Sequence, residues 1–454
     1  MSIATVNPTT GETEEVFEPH DDKEVEAKLS AAHDAFVSYR DTTFDERARF
    51  ATTAAGLLEG ELPDIARVLT TEMGKTFASA KAEVAKSASA LRWFAEHAPA
   101  FLADERVETA ASDSRVLYRP MGPVLAVMPW NFPIWQVMRF AAPALMAGNV
   151  GLLKHASNVP RTALLIEDVF RRAGFPPGVF QTLLVGSDRV NGLIEDERVR
   201  AVTLTGSESA GRSVAAAAGR AIKKSVLELG GSDPFIVLPS ANLERAVQVG
   251  VQARVQNNGQ SCIAAKRFIV HADVYEEFEE RFVSAFESLT VGDPMDPGTD
   301  VGPLATAKGR SDLHEQVADA RGKGATVLCG ATPIDGSGFF YRPGVIAGVT
   351  PAMRVASEEV FGPVALLFRA DDAEHARRVA NDTTFGLGAS VWTTEPQEQR
   401  AFVEGLEAGL VFVNAMVAST PELPFGGTKR SGYGRELSSL GLREFCEAKT
   451  VWVS

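Results

Sequence analysis

The sequence predicts an α/β protein built on two doubly wound parallel sheets, preceded by a helical layer and completed by a small antiparallel extension. Short apolar runs alternate with helical stretches in two successive series, and a long N-terminal region repeats its apolar residues every three or four positions. Two alternating segments, far apart in the chain, have no series of their own. At 454 residues with 45% hydrophobic content, the chain is long enough for two or three domains with sizeable cores.

The helical layer comes first. From about 22 to 110, stretches such as "DKEVEAKLSAAHDAFVSYR" and "FDERARFATTAAGLLEGEL" carry apolar side chains at helical spacing. "VETAASDSRVLYRP" (107 to 120) then alternates as an extended segment does, and the final "CEAKTVWVS" reads the same way, so these two are expected to pair with each other or with another subunit. Between 123 and 239 the runs "PVLAVMPW", "NVGLLKH", "VFQTLLVG", "RAVTLTGS", "SVLELGG" and "PFIVLPS" are apolar without alternation, which marks strands buried on both faces of a parallel sheet. A second series, from about 241 to 428, has strands at "KRFIVHA", "ATVLCG", "PVALLFRA", "GASVWTT" and "GLVFVNA". Two such units imply a cleft between them.

The formal charge of -14 disfavours nucleic acid and anionic membrane as partners, because a net negative field repels phosphates; a solvated acidic surface is the plain alternative reading of that excess. No run of eighteen apolar residues spans a bilayer, and "MSIATVNPTTGETEEVFEP" lacks the basic and apolar regions of a signal peptide, so a cytoplasmic protein is expected. The three cysteines, Cys262, Cys329 and Cys446, are far apart and lack CxxC spacing, which suggests neither a disulfide framework nor a metal site. A catalytic cysteine would act alone.

Four stretches carry chemistry. "QNNGQSCIAAKR" puts Cys262 behind a glycine and polar side chains, where a thiol and its own N–H can face a cleft; a lone cysteine is more often a small buried hydrophobe. In "KKSVLELGGSDPFIVL", Glu228 closes an apolar strand just before Gly230-Gly231, which suits a general base facing a cleft as well as a solvated strand end. "VMPWNFPIW" holds Asn131 at a buried strand's end, where its amide can donate to an oxyanion or simply order a turn beside Pro133. "AVTLTGSESAGRSVAAAAG" leads from a strand through a Gly-Ser turn into a helix whose N-terminus favours a pyrophosphate, although its spacing is not G-x-G-x-x-G.

With these residues in place, "PWNFP", "LTGS", "LELGG", "NNGQSC", "EEVFGPV" and "PFGGTKRSGYGRE" occur in the order, and at about the spacings, of the NAD(P)-dependent aldehyde dehydrogenase superfamily, over nearly the whole chain. The chain resembles most the shorter bacterial members that act on succinate semialdehyde, which share "LKHASNV" and "LELGGSDPFIVL". The resemblance implies the aldehyde dehydrogenase fold, with residues 1–105 and 121–230 as a Rossmann-like cofactor-binding domain, 231–428 as a catalytic domain, and 106–120 and 440–454 as oligomerisation strands of a homodimer or homotetramer.

By the same resemblance Cys262 is the nucleophile, Asn131 and the Cys262 N–H hold the oxyanion, and Glu228 activates the water that hydrolyses the thioester. Lys154, Gly206, Ser207, Glu359 and Phe361 match the family's cofactor-binding positions, with Trp130 and Leu229 beside them. Ser157 stands where NAD-preferring relatives often have a glutamate, so NADP is the expected cofactor and NAD a possible one. Arg139, eight residues after Asn131, matches the arginine that reads a substrate carboxylate; Gln256 replaces a second such arginine, and Ser419 is a hydroxyl that can complete the site. The implied substrate is a small aldehyde, succinate semialdehyde first, with glutarate semialdehyde or an aliphatic aldehyde as the alternative. A non-catalytic, crystallin-like member and a CoA-acylating enzyme both fit less well, because Cys262, Asn131 and the deacylating Glu228 are all present.

Overall fold

The computed structural model describes residues 2–454. A hairpin that the sequence reading did not anticipate, Ile3–Val6 against Thr13–Phe17, opens the chain. The helices Asp22–Tyr39, Phe44–Gly60, Leu62–Met73 and Phe77–Phe101 follow. Their starts are set locally: Asp21 with Glu24, and Thr43 with Glu46, form reciprocal capping boxes that satisfy the first orphan N–H groups. Among the described residues no helix is long and apolar enough to cross a membrane.

The first large sheet has six strands, in the order Gly432–Tyr433, Lys224–Glu228, Ala201–Thr205, Pro123–Met128, Val150–His155, Phe180–Thr182, and all pairs are parallel except the first. From Pro123–Met128 the chain adds strands on one side, then returns to the other side with Ala201–Thr205. The order therefore reverses between these two strands, and a crevice opens beyond their carboxyl ends, where ligands bind in open α/β sheets. Those ends are Pro129-Trp130-Asn131 and Gly206-Ser207.

The second sheet runs Thr326–Cys329, Gly344–Ala347, Val364–Ala370, Arg267–His271, Pro234–Val237, Gly388–Trp392, Leu410–Val413, parallel except at the outer first pair. "PFIVLPS" thus belongs to this sheet and not, as its place in the sequence suggests, to the first series. The segment Gly230-Gly231-Ser232-Asp233 carries the chain across, so close to the cysteine that a Cβ on Gly231 would lie 2.8 Å from the Cys262 carbonyl oxygen. The two alternating segments pair within the chain: Cys446–Val453 lies antiparallel on Asp113–Pro120, with Glu105–Arg106 on its other side.

Candidate active site

The helix Leu243–Val255 ends at Gln256, after which Asn257 (φ 55°), Asn258 (φ 57°) and Gly259 (φ 74°) all turn left-handed. Asparagine tolerates this conformation because its short amide bonds locally. At 259 only glycine fits, since a Cβ would run into the Gly362 backbone. Asn257 Nδ2 donates to the carbonyls of Asn131 (2.8 Å) and Gln260 (2.9 Å), and Asn258 Nδ2 to those of Gly74 (2.8 Å) and Pro303 (2.9 Å). The buried Arg254 guanidinium donates to the Gly259 and Ala265 carbonyls. This loop presents Cys262.

Lys266, fully buried, donates from Nζ to the carbonyls of Ser261 (2.8 Å) and Cys262 (2.6 Å) and lies 3.1 Å from Glu359 Oε1. The Ser261 carbonyl belongs to the peptide that carries the Cys262 N–H, so Lys266 fixes the plane of that donor. The Cys262 N–H itself has no partner among the described residues. Burial pushes the thiol up to about 12, against the downward pull of Arg139 and Lys266, so it rests protonated at neutral pH.

Asn131 faces the same cleft as Cys262 and is 4% exposed. Its amide gives one hydrogen to the Gln260 carbonyl (3.1 Å), which leaves the second to donate. Trp130, Gly206, Ser207, Leu229, Glu359 and Phe361 line this cleft too. The rings of Trp130 and Phe361 meet edge to face at 5.7 Å. Ser207 caps the helix Glu208–Arg220, and Glu359 accepts from the Gly231 N–H at 3.2 Å. Lys154 is the last residue but one of the neighbouring strand, where it pairs in register with Val127; it is buried, has no ion pair among the described residues, and burial lowers its pKa. Ser157 follows on the next turn, its carbonyl tied to the Ala4 N–H of the N-terminal hairpin.

Three candidate residues sit apart from the cleft that Cys262 and Asn131 share. Glu228 does not line the cleft as its neighbours Leu229 and Gly230 do. It is 2% exposed, both its oxygens lack hydrogen-bond partners among the described residues, and burial followed by the neighbouring Glu436 holds its pKa well above the usual carboxylate range. The short strand Gly432–Tyr433 covers this strand end, so the carboxyl packs inward against Gly426. Arg139 is not a free cation: it is 3% exposed, its Nε pairs with Glu436 Oε2 at 2.8 Å, and its guanidinium stacks on Phe425. Gln256 turns back on its own helix, donating to the Ala253 carbonyl at 3.2 Å, and does not line the cleft.

Ser419 does not line this cleft either: it is buried behind it and accepts at Oγ from both Trp135 Nε1 and Lys86 Nζ, each at 3.0 Å. The sequence reading missed Lys86. Its only signal is position, three residues after Glu83, at the half-buried edge of the inward face of Phe77–Phe101.

A single thiol and an amide donor at the switch point of a doubly wound sheet, beside a strand–turn–helix suited to phosphate, define a nucleotide-dependent thiol enzyme of the dehydrogenase class. The chain belongs to the aldehyde dehydrogenase family, whose model matches residues 1–451. It is 58% identical, over all of its length and 97% of the relative's, to the NADP-dependent succinate-semialdehyde dehydrogenase of Mycobacterium avium. It is equally similar, over the whole of both chains, to succinate-semialdehyde dehydrogenase [NADP(+)] 1 of Mycobacterium tuberculosis. Among solved structures it resembles succinic semialdehyde dehydrogenase of Streptococcus pyogenes in complex with NADP+, with a TM-score of 0.97, 37% identity and 99% of each chain covered.

Proposed function

We propose that this chain oxidises succinate semialdehyde to succinate with NADP, through a thioester on Cys262. The observation that carries the reading is the Cys262 loop itself, which sets a thiol, an unpartnered N–H and the Asn131 amide in one cleft. The near relatives that share this whole chain bear that activity in their names.

The residues present fit the cofactor. Lys154 is a buried cation with no ion pair among the described residues, only the Asp188 charge at longer range, and Ser157 adds no negative charge beside it, which together suit a ribose 2'-phosphate. The Gly206-Ser207 turn and the N-terminus of Glu208–Arg220 suit the pyrophosphate, and Glu359 with Phe361 suits the nicotinamide ribose. When bound, the nicotinamide supplies the acceptor for the aldehyde's hydride.

The chain's own residues do the rest. Cys262 gives its proton to solvent as Sγ adds to the aldehyde carbon, and the oxygen that becomes negative is met by Asn131 Nδ2 and the Cys262 N–H, the latter held in plane by Lys266. After oxidation the acyl group remains on Sγ. Glu228 swings from its inward position to take a proton from water, whose oxygen forms the new C–O bond as the C–S bond breaks and the thiol is restored. Residues 1–105 with 121–230 serve the cofactor, 231–428 the thiol, and the paired segments 106–120 and 440–454 join subunits into a homodimer or homotetramer.

The test is a matrix of kcat/KM for succinate semialdehyde, glutarate semialdehyde and butyraldehyde, each with NADP and NAD. The expected result is a maximum for succinate semialdehyde with NADP. A maximum at either other aldehyde would overturn the substrate, and one with NAD the cofactor.

A further inference from the structure

We propose that Lys86, together with the Ser419 hydroxyl, binds the substrate carboxylate and forms the charge-reading end of the aldehyde pocket. This deepens the succinate-semialdehyde reading and rests on it.

The hydroxyl shows how the site is built. Ser419 Oγ already accepts from Trp135 Nε1 and from Lys86 Nζ, each at 3.0 Å, so both of its lone pairs are used. Its own hydrogen remains, and it donates to no group among the described residues. Lys86 likewise gives one of its three hydrogens to Ser419 and sits 4.2 Å above the Trp135 ring, with no carboxylate partner among the described ion pairs. The Ser419 hydrogen and the two remaining Lys86 hydrogens have no acceptor among the described residues. A carboxylate supplies what is missing, and the indole face beneath it suits both the ammonium and the methylene chain of a semialdehyde.

The contrast with Arg139 sharpens the assignment. Trp135 and Arg139 are one turn apart on the helix Trp135–Met146, so the two cations border the same helix face. Arg139 is paired with Glu436 at 2.8 Å, whereas Lys86 has no carboxylate within ion-pair distance among the described residues. Burial, then repulsion from Arg139, lowers Lys86 to about 8, with Glu83 opposing. A bound anion would relieve that repulsion.

The cluster is also tied to the reacting centre. Glu83, three residues before Lys86, accepts at Oε1 from the backbone N–H groups of Ile134 (2.9 Å) and Trp135 (3.0 Å). The fully buried Lys75 holds the other oxygen of Glu83. The lysine therefore has a fixed place relative to the turn that carries Asn131, four residues before Trp135.

The experiment compares the full-length wild type with Lys86→Met, which keeps the stem and removes the charge, and Lys86→Arg, which keeps the charge. Each is assayed with succinate semialdehyde and with butyraldehyde, and with succinate as an inhibitor of butyraldehyde oxidation. In Lys86→Met, KM for succinate semialdehyde and Ki for succinate should both rise, roughly ten- to 150-fold for one charge-assisted contact, with kcat nearly unchanged. Butyraldehyde kinetics should change far less, and Lys86→Arg should recover most of the loss. An equal loss on both aldehydes would make Lys86 a structural residue, and an unchanged succinate Ki would remove it from the site; either overturns the proposal. A wild type that prefers butyraldehyde refutes the substrate reading instead, and the succinate Ki still decides Lys86.

Discussion

The loop 256–262 and the strand end at Glu228 flank the same chain crossover, yet side-chain hydrogen bonds lace only the loop, although Asn257 Oδ1, Gln260 Nε2 and Ser261 Oγ also lack partners among the described residues. In the loop, the amides of Asn257 and Asn258 and the guanidinium of Arg254 bond to backbone carbonyls of four separate segments. At the strand end, both oxygens of Glu228 and both of Glu436 lack hydrogen-bond partners, although the Arg139 charge lies close by. A buried polar group left unsatisfied costs about 1–3 kcal/mol. The loop is therefore rigid, which suits a donor that must await a developing charge. The carboxyl is held in an unfavourable place, which suits a group that has to move before it acts.

The largest test of this contrast removes the thiol. Cys262→Ala should lower kcat by at least about 10³-fold while leaving NADP affinity within about twofold, because the loop's shape does not depend on Sγ. Cofactor affinity read by fluorescence titration, alongside rates, checks both halves; residual activity near wild type would end the nucleophile role.

Next comes the mobile side. Glu228→Gln should still give a burst of reduced cofactor in rapid mixing, followed by a steady state slower by about 10²–10⁴-fold. The pH dependence has a definite sign. Burial and Glu436 raise the Glu228 pKa, so the base is protonated at low pH and gains its charge as pH rises through that raised value. Wild-type deacylation should accelerate across that range, and the glutamine variant should lack this acceleration. A wild-type steady state in the variant would place the base elsewhere.

The smallest effect belongs to the rigid side. Asn258→Ala strands the carbonyls of Gly74 and Pro303 and the Gly302 N–H, and asks an alanine to keep φ near 57°. A stability loss of about 1–3 kcal/mol should follow, read as a lower denaturation midpoint. An unchanged midpoint would show that the loop does not rest on these bonds.

The sequence by itself determined the α/β class, the helical layer and most strands, because continuous apolar runs and three-to-four periodicity are local consequences of burial. It also marked Cys262 and Asn131, because Gly259 permits a close backbone approach near the thiol and Pro133 orders the turn beside the amide. Tertiary structure decided the rest. That Pro234–Val237 joins the second sheet depends on pairing partners more than thirty and more than 150 residues later, which no local pattern encodes. Whether a charged side chain is free or neutralised is equally non-local: Arg139 meets Glu436 across almost 300 residues, and Lys86 meets Ser419 across 333. Residue type names the charge; only the folded neighbours, by pairing it or leaving it unpaired in a medium that screens poorly, set what that charge can bind.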